Sequence, residues 1–204
     1  MRDARIGRIL PASLHQAISE TLPLRQEFYE TWLGPMALRH GTISPGALTA
    51  VVSFLRREGA VYHQIMARAG SLAADWTFAM QGRWRQWWLR LWSTRMRARK
   101  ALAFARAILA DAYSPSRLEG NLRQHEGTLV VAASAFCDTR DSVAAPLCDF
   151  NAAVVRRMLE WLAVDAEVRT TTCRALGAES CQVHVSLRGR LSRDRLPVLG
   201  GEPA

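Results

Sequence analysis

Cys137, Cys148, Cys173 and Cys181, the four cysteines of the chain, all fall in its last third. Sulfur acts as a metal ligand or nucleophile through its thiolate, so what counts is which thiols share a neighbourhood. Cys173 and Cys181 bracket Gly177, a turn residue between two strand-like segments, which sets them on facing strands of one hairpin. Cys148 precedes Asp149 at the start of a helical pattern, where the helix macrodipole favours an anion. Cys148, Cys173 and Cys181 are therefore candidate ligands for a soft cation, a structural zinc at about 2.3 Å, with a fourth ligand from Cys137, Glu167, His184 or water. The competing explanation is that cysteine is among the most buried residue types and fills a core.

A second group of residues suggests binding rather than ligation. Trp84, Trp87, Trp88, Leu91 and Trp92 recur at helical spacing, so the indoles share one face, and arginines from Arg83 to Arg106 accompany them. Such a face either packs into the core or lines a site for a flat aromatic ligand whose carboxylates meet guanidinium groups. Trp84, Trp88, Trp92 and Arg95 are the candidate ligand contacts. The histidines, His15, His40, His63, His125 and His184, are scattered and read as surface or hydrogen-bonded core residues. His63, ahead of Met66 on a helix, could reach a porphyrin metal, although no spacing singles it out.

The elements that would position these groups differ between the two halves. Residues 1–113 read as helical. Leu14, Ala17 and Ile18 form one stripe, and Ser44-Pro45 starts a second helix carrying Leu48, Val51, Val52 and Leu55. Apolar spacing resumes at Val61 and Tyr62, Gly70-Ser71 suggests a boundary, and the Trp/Arg-rich helix covers about 83–113. Residues 114–187 read as mixed, with a strand over 128–136, a helix from Asp149, a strand over 164–173 and a last strand from Cys181 to Leu187. Residues 188–204, rich in Gly and Pro, read as a flexible tail.

Composition narrows the function. At 204 residues and 49% hydrophobic content the chain suits one core. No stretch offers the roughly 20 apolar residues of a membrane span, so no membrane span is expected. The N-terminus shows no secretory pattern, which predicts a cytoplasmic protein with reduced thiols. The formal charge of +9 invites nucleic acid, yet no zinc-finger or RRM signature supports it, and no nucleic-acid partner is expected. The basic, Trp-bearing face leaves peripheral contact with an inner-membrane surface open.

Cys173-Arg-Ala-Leu-Gly-Ala-Glu-Ser-Cys181-Gln-Val-His-Val has the form C-x-A-x-G-x-x-x-C followed by alternating apolar residues, and it resembles the closing hairpin of the vinyl-4-reductase domain. That similarity covers approximately residues 121–186. Upstream, Ala67-Arg-Ala-Gly-Ser-Leu-Ala-Ala-Asp-Trp76 and the Trp/Arg helix are similar to BchJ-type bacteriochlorophyll biosynthesis proteins. The resemblance implies an α+β fold, an N-terminal helical half packed on a C-terminal mixed vinyl-4-reductase-like ligand-binding domain, often as a homodimer. It also implies zinc at a site like Cys148, Cys173 and Cys181. Where the aromatic-sensing relatives place a glutamate this chain has Thr170, a departure that leaves the fourth ligand open.

The function expected on that resemblance is a tetrapyrrole-binding accessory protein of photosynthesis that holds a magnesium porphyrin or chlorophyllide intermediate for the enzymes of the bacteriochlorophyll pathway. A vinyl reductase acting on a divinyl precursor is the first alternative. The sequence shows no G-x-G-x-x-G, phosphate-binding glycine loop or iron–sulfur cysteine run to supply electrons, which favours a binding protein. A sensor or scaffold subunit for a hydrophobic ligand is the second alternative.

Overall fold

The computed structural model describes residues 5–33, 43–81, 92–114, 118–137 and 143–188. His40, Trp84 and Trp88 lie outside the described residues, as does the tail from residue 189. The described elements alternate as the composition of the halves suggests: helices first, then an antiparallel sheet interrupted by one helix, an α+β arrangement.

Helix α1 (Ile9–Thr21) turns its Leu10, Leu14, Ala17 and Ile18 stripe inward. After a 3₁₀ turn at Pro23–Arg25, α2 (Gln26–Leu33) follows, with Tyr29 and Leu33 buried. Helix α3 (Pro45–Arg56) starts where an N-cap followed by proline should start one. The Ser44 hydroxyl accepts from the Ala47 N–H, and Pro45 loses no helical hydrogen bond in the first turn. A tight turn with Gly59 at φ 63° leads into α4 (Ala60–Ala79).

Helix α4 runs through Gly70-Ser71, where a boundary was expected. The glycine serves a crossing instead. A Cβ there would strike the Phe150 carbonyl and lie 2.9 Å from the Ala153 Cβ, so only glycine lets α4 press on α6 (Asp149–Trp161). The next described helix, α5 (Thr94–Ala112), lies within the 83–113 span expected, of which residues 83–91 lie outside the described residues. The Ser93 hydroxyl caps it by accepting from the Met96 N–H, which places Trp92 ahead of the helix.

Strands β1 (Arg5–Ile6) and β2 (Tyr113–Ser114) pair antiparallel. The main sheet has the order β3-β4-β6-β5, all antiparallel, from β3 (Leu118–Arg123), β4 (Glu126–Val131), β5 (Ala166–Thr172) and β6 (Cys181–Leu187). Residues along β6 alternate buried and half-buried, as a one-sided sheet requires. The expected strand 128–136 stops at Val131 because its ladder partner begins at Cys181, opposite that residue. β3 escaped the sequence because only Leu122 of its six residues is buried. α5 and α6 cover the sheet, α4 packs on α6 and touches α5, α1 packs on α4, and the buried side chains form one cluster across both halves. Among the described residues no helix is long and apolar enough to cross a membrane.

A candidate four-thiol metal centre

Four separate pieces of chain deliver a sulfur to one point. β4 leaves the sheet into a turn in which the Cys137 N–H donates to the Ser134 carbonyl, aiming Cys137 inward. Cys148 occupies the N-cap of α6. Cys173 follows β5 and Cys181 opens β6, joined by a 3₁₀ turn at Arg174–Leu176 that closes on Gly177 in the left-handed conformation, φ 89°.

The Cys137 sulfur lies 3.1 Å from that of Cys148 and 3.5 Å from that of Cys173, Cys148 lies 3.3 Å from Cys173, and Cys181 lies 3.4 Å from Cys137. All four are buried and unbridged. A tetrahedral ion bound at about 2.3 Å sets its ligand sulfurs about 3.8 Å apart, so one ion would need an expansion of a few tenths of an ångström. Backbone donors already point at the cluster: the Leu147 N–H reaches Cys173 Sγ at 3.4 Å and the Arg174 N–H reaches Cys181 Sγ at 3.5 Å.

The sulfurs share protons unequally. Hydrogen bonds from Cys137 and then Cys148, with help from the Arg174 N–H, outweigh burial and push the Cys181 thiol down to about 3. The same bonds, to Cys137 and then Cys181, together with burial, push Cys148 up. One thiolate is thus stabilised by its neighbours' S–H groups, and a cation replacing those protons would be met by four charges at once.

Cys148, Cys173 and Cys181 therefore meet, and the fourth sulfur is Cys137, one of the four groups weighed from sequence. Glu167 instead pairs with Arg169 at 3.0 Å, and His184 with Glu126 at 2.8 Å. Trp92 and Arg95 are exposed and lie outside the linings of the α2–α3 cavity, the α5–β3 cleft and the interior space. His63 Nδ1 bonds Asp149 at 2.8 Å and His15 Nε2 contacts Glu30 at 3.4 Å, while His125 is exposed at the β3–β4 turn.

The interior between α1, α5, α6 and the sheet holds a space of only about 10 Å³, lined by Leu10, Leu109, Phe136 and Phe150. That is room for a single water at most. A cavity of about 640 Å³ opens at the surface between α2 and α3, and its lining contains neither histidine nor cysteine.

No protein-family model and no curated protein matches the chain. Solved structures do. The chain is similar to an H-NOX protein from S. oneidensis in the Fe(II)NO ligation state, at 11% identity over 90% of this chain and 100% of that one, with a TM-score of 0.53. It is similar to the H-NOX domain from Shewanella oneidensis in the Fe(II)CO state, at 12% identity over 90% and 99% of the two chains, with a TM-score of 0.55. An unliganded Fe(II) H-NOX protein from K. algicida gives 9% identity over 91% and 98%, with a TM-score of 0.54. At such identities the likeness is one of fold.

These findings correct several expectations. The fold neighbours are H-NOX domains, so the vinyl-4-reductase-like, BchJ-type assignment falls, and with it the role in bacteriochlorophyll biosynthesis and photosynthesis. The motif that suggested it is a local one, a hairpin that sets two cysteines beside a helix N-terminus. The magnesium tetrapyrrole falls too. The neighbours are described with Fe(II), not magnesium. Among the described residues the interior space is too small for a macrocycle, and the surface cavity of about 640 Å³ has no histidine or cysteine in its lining to hold a macrocycle's metal. The cluster itself does not single out zinc, since any thiophilic dication suits four thiolates.

Proposed function

We propose that the chain is a sensor or scaffold subunit whose responsive centre is a single thiophilic metal ion held by Cys137, Cys148, Cys173 and Cys181. The observation that carries this is the convergence of four buried sulfurs from four segments. The H-NOX-like fold supports the sensor half of the reading, because its neighbours are described in liganded and unliganded states of one metal. A thiol cluster of this kind changes when its ion arrives. The protons leave, four negative charges gather round one cation, and the segments bearing Cys137 and Cys148 are cross-linked to the hairpin. Occupancy is thereby converted into order in the turns beneath the helices.

Elemental analysis of protein purified without chelator should find close to one thiophilic metal per chain. Stripped protein titrated with cobalt(II) should show intense thiolate-to-metal charge transfer saturating at one equivalent, while iron protoporphyrin added to either form should give no saturable Soret shift. Substoichiometric metal together with no cobalt charge transfer would sink the proposal.

A further inference from the structure

The two irregular segments that carry Cys137 and Cys148 are held from outside the cluster, by side chains at one helical turn. Arg56, the last residue of α3, donates from Nη2 to the Phe136 carbonyl at 2.7 Å. Tyr62, in the first turn of α4, donates its hydroxyl to the Leu147 carbonyl at 3.2 Å. Each accepting carbonyl belongs to the residue immediately before a cysteine, so each bond fixes the peptide from which that sulfur projects. Both bridge long stretches of sequence, 80 and 85 residues. The next residue on α4, His63, meets Asp149 just after Cys148.

We propose that Arg56 and Tyr62 are the positioning residues of the four-sulfur centre, with Arg56 also supplying its counter-charge; this rests on the metal reading above. Four thiolates around a dication leave a net charge of −2 in a buried place, which is costly without a nearby positive group. Arg56 has that charge to give. No described carboxylate forms an ion pair with it, and its buried Nε has no hydrogen-bond partner. The Tyr62 hydroxyl, raised above the ordinary phenol range chiefly by burial, also lies within electrostatic reach of Arg56, Cys137 and Cys148, which places the guanidinium and the sulfurs in one electrostatic neighbourhood. Groups that orient ligands from behind typically change metal affinity by roughly 10- to 100-fold when removed.

The test is cobalt(II) bound to the full-length chain, read by chelator competition and by the energy and intensity of its charge-transfer and d–d bands. Arg56→Met should weaken binding roughly 10- to 100-fold and alter the d–d bands, Arg56→Lys should recover part of the affinity, and Tyr62→Phe should weaken it by up to roughly 10-fold. Arg57→Met, a neighbour on the cavity side of the turn, should bind like wild type. If Arg56→Met proves poorly folded, Arg56→Lys and Tyr62→Phe still decide the matter. Wild type binding one cobalt while both of these hold it within about twofold and with unchanged bands would overturn the assignment and leave the metal centre standing. Wild type failing to bind cobalt would remove the centre, and the assignment with it.

Discussion

Two regions of this molecule are both buried and differ in what completes them. At the crossing of α4 on α6, Gly70 approaches Phe150 and Ala153, with Ala73 and Ala74 of α4 also buried. Removing their surface from water is the whole of their chemistry, and polar contacts such as Trp161 Nε1 donating to Asp75 at 2.6 Å sit at the rim. At the sulfur cluster the burial is as deep, yet every group is ionisable. Apolar packing is finished when the chain folds. A four-thiol cluster is finished only when its protons are replaced or shared, so its stability depends on what else is in solution.

The largest effect that separates the regions is expected at Cys148→Ser. The metal-loaded protein should lose about 3–5 kcal/mol, the scale of losing a metal site. Chelator added to wild type should produce a comparable loss in urea unfolding, and chelator added to the variant should produce almost none. Equal sensitivity of both proteins to chelator would erase the distinction between the two regions.

Gly70→Ala tests the other region. The new methyl meets backbone at the Phe150 carbonyl, which cannot rotate away, so overpacking should cost about 1–3 kcal/mol. The cost should be the same with and without chelator, and metal content should stay at the wild-type level. A Gly70→Ala protein that loses its metal would show that the crossing and the cluster are one cooperative unit.

Legibility in the sequence followed the same divide. Elements with a local signature were readable: the capped start of α3 at Ser44-Pro45, the helix behind Cys148, the strand from Cys181 to Leu187. Gly70 was misread because a helix breaker and a crossing point look alike until the opposing helix is known. β3 was missed because edge position, not apolar alternation, defines it. Three sulfurs were readable as a group from their places on a hairpin and a helix end. Cys137 could only be one option among several, since its turn is set by where β6 begins. Arg56 and Tyr62 carry no sequence signal, because both act through backbone carbonyls at least 80 residues away. The family resemblance failed for a related reason: a short hairpin motif reports on local sulfur geometry, and the whole-chain fold matches something else.

The smallest expected effect lies on the surface of the helical half, where Arg68 of α4 grips Glu20 of α1 through Nε at 2.6 Å and Nη2 at 3.2 Å. Hydrogen bonds from Arg68, and then from Gln16, lower the Glu20 carboxyl below the usual glutamate range. A carboxyl depressed on folding adds stability that is complete above its unfolded value and disappears as pH falls through its folded value. The pair is half exposed, with side chains 46% and 35% accessible, so screening limits it to a few tenths of a kcal/mol. Glu20→Gln should therefore be slightly less stable than wild type at neutral pH and low salt, with the gap closing on acidification and in about 1 M salt. The measurement belongs on chelator-treated protein, because acid also returns protons to the thiols and would otherwise mask so small a term. A gap that widens toward acid in that form would mean that Glu20 is gripped as a neutral acid. A gap seen only in the metal-loaded form would tie this surface pair to the sulfur cluster.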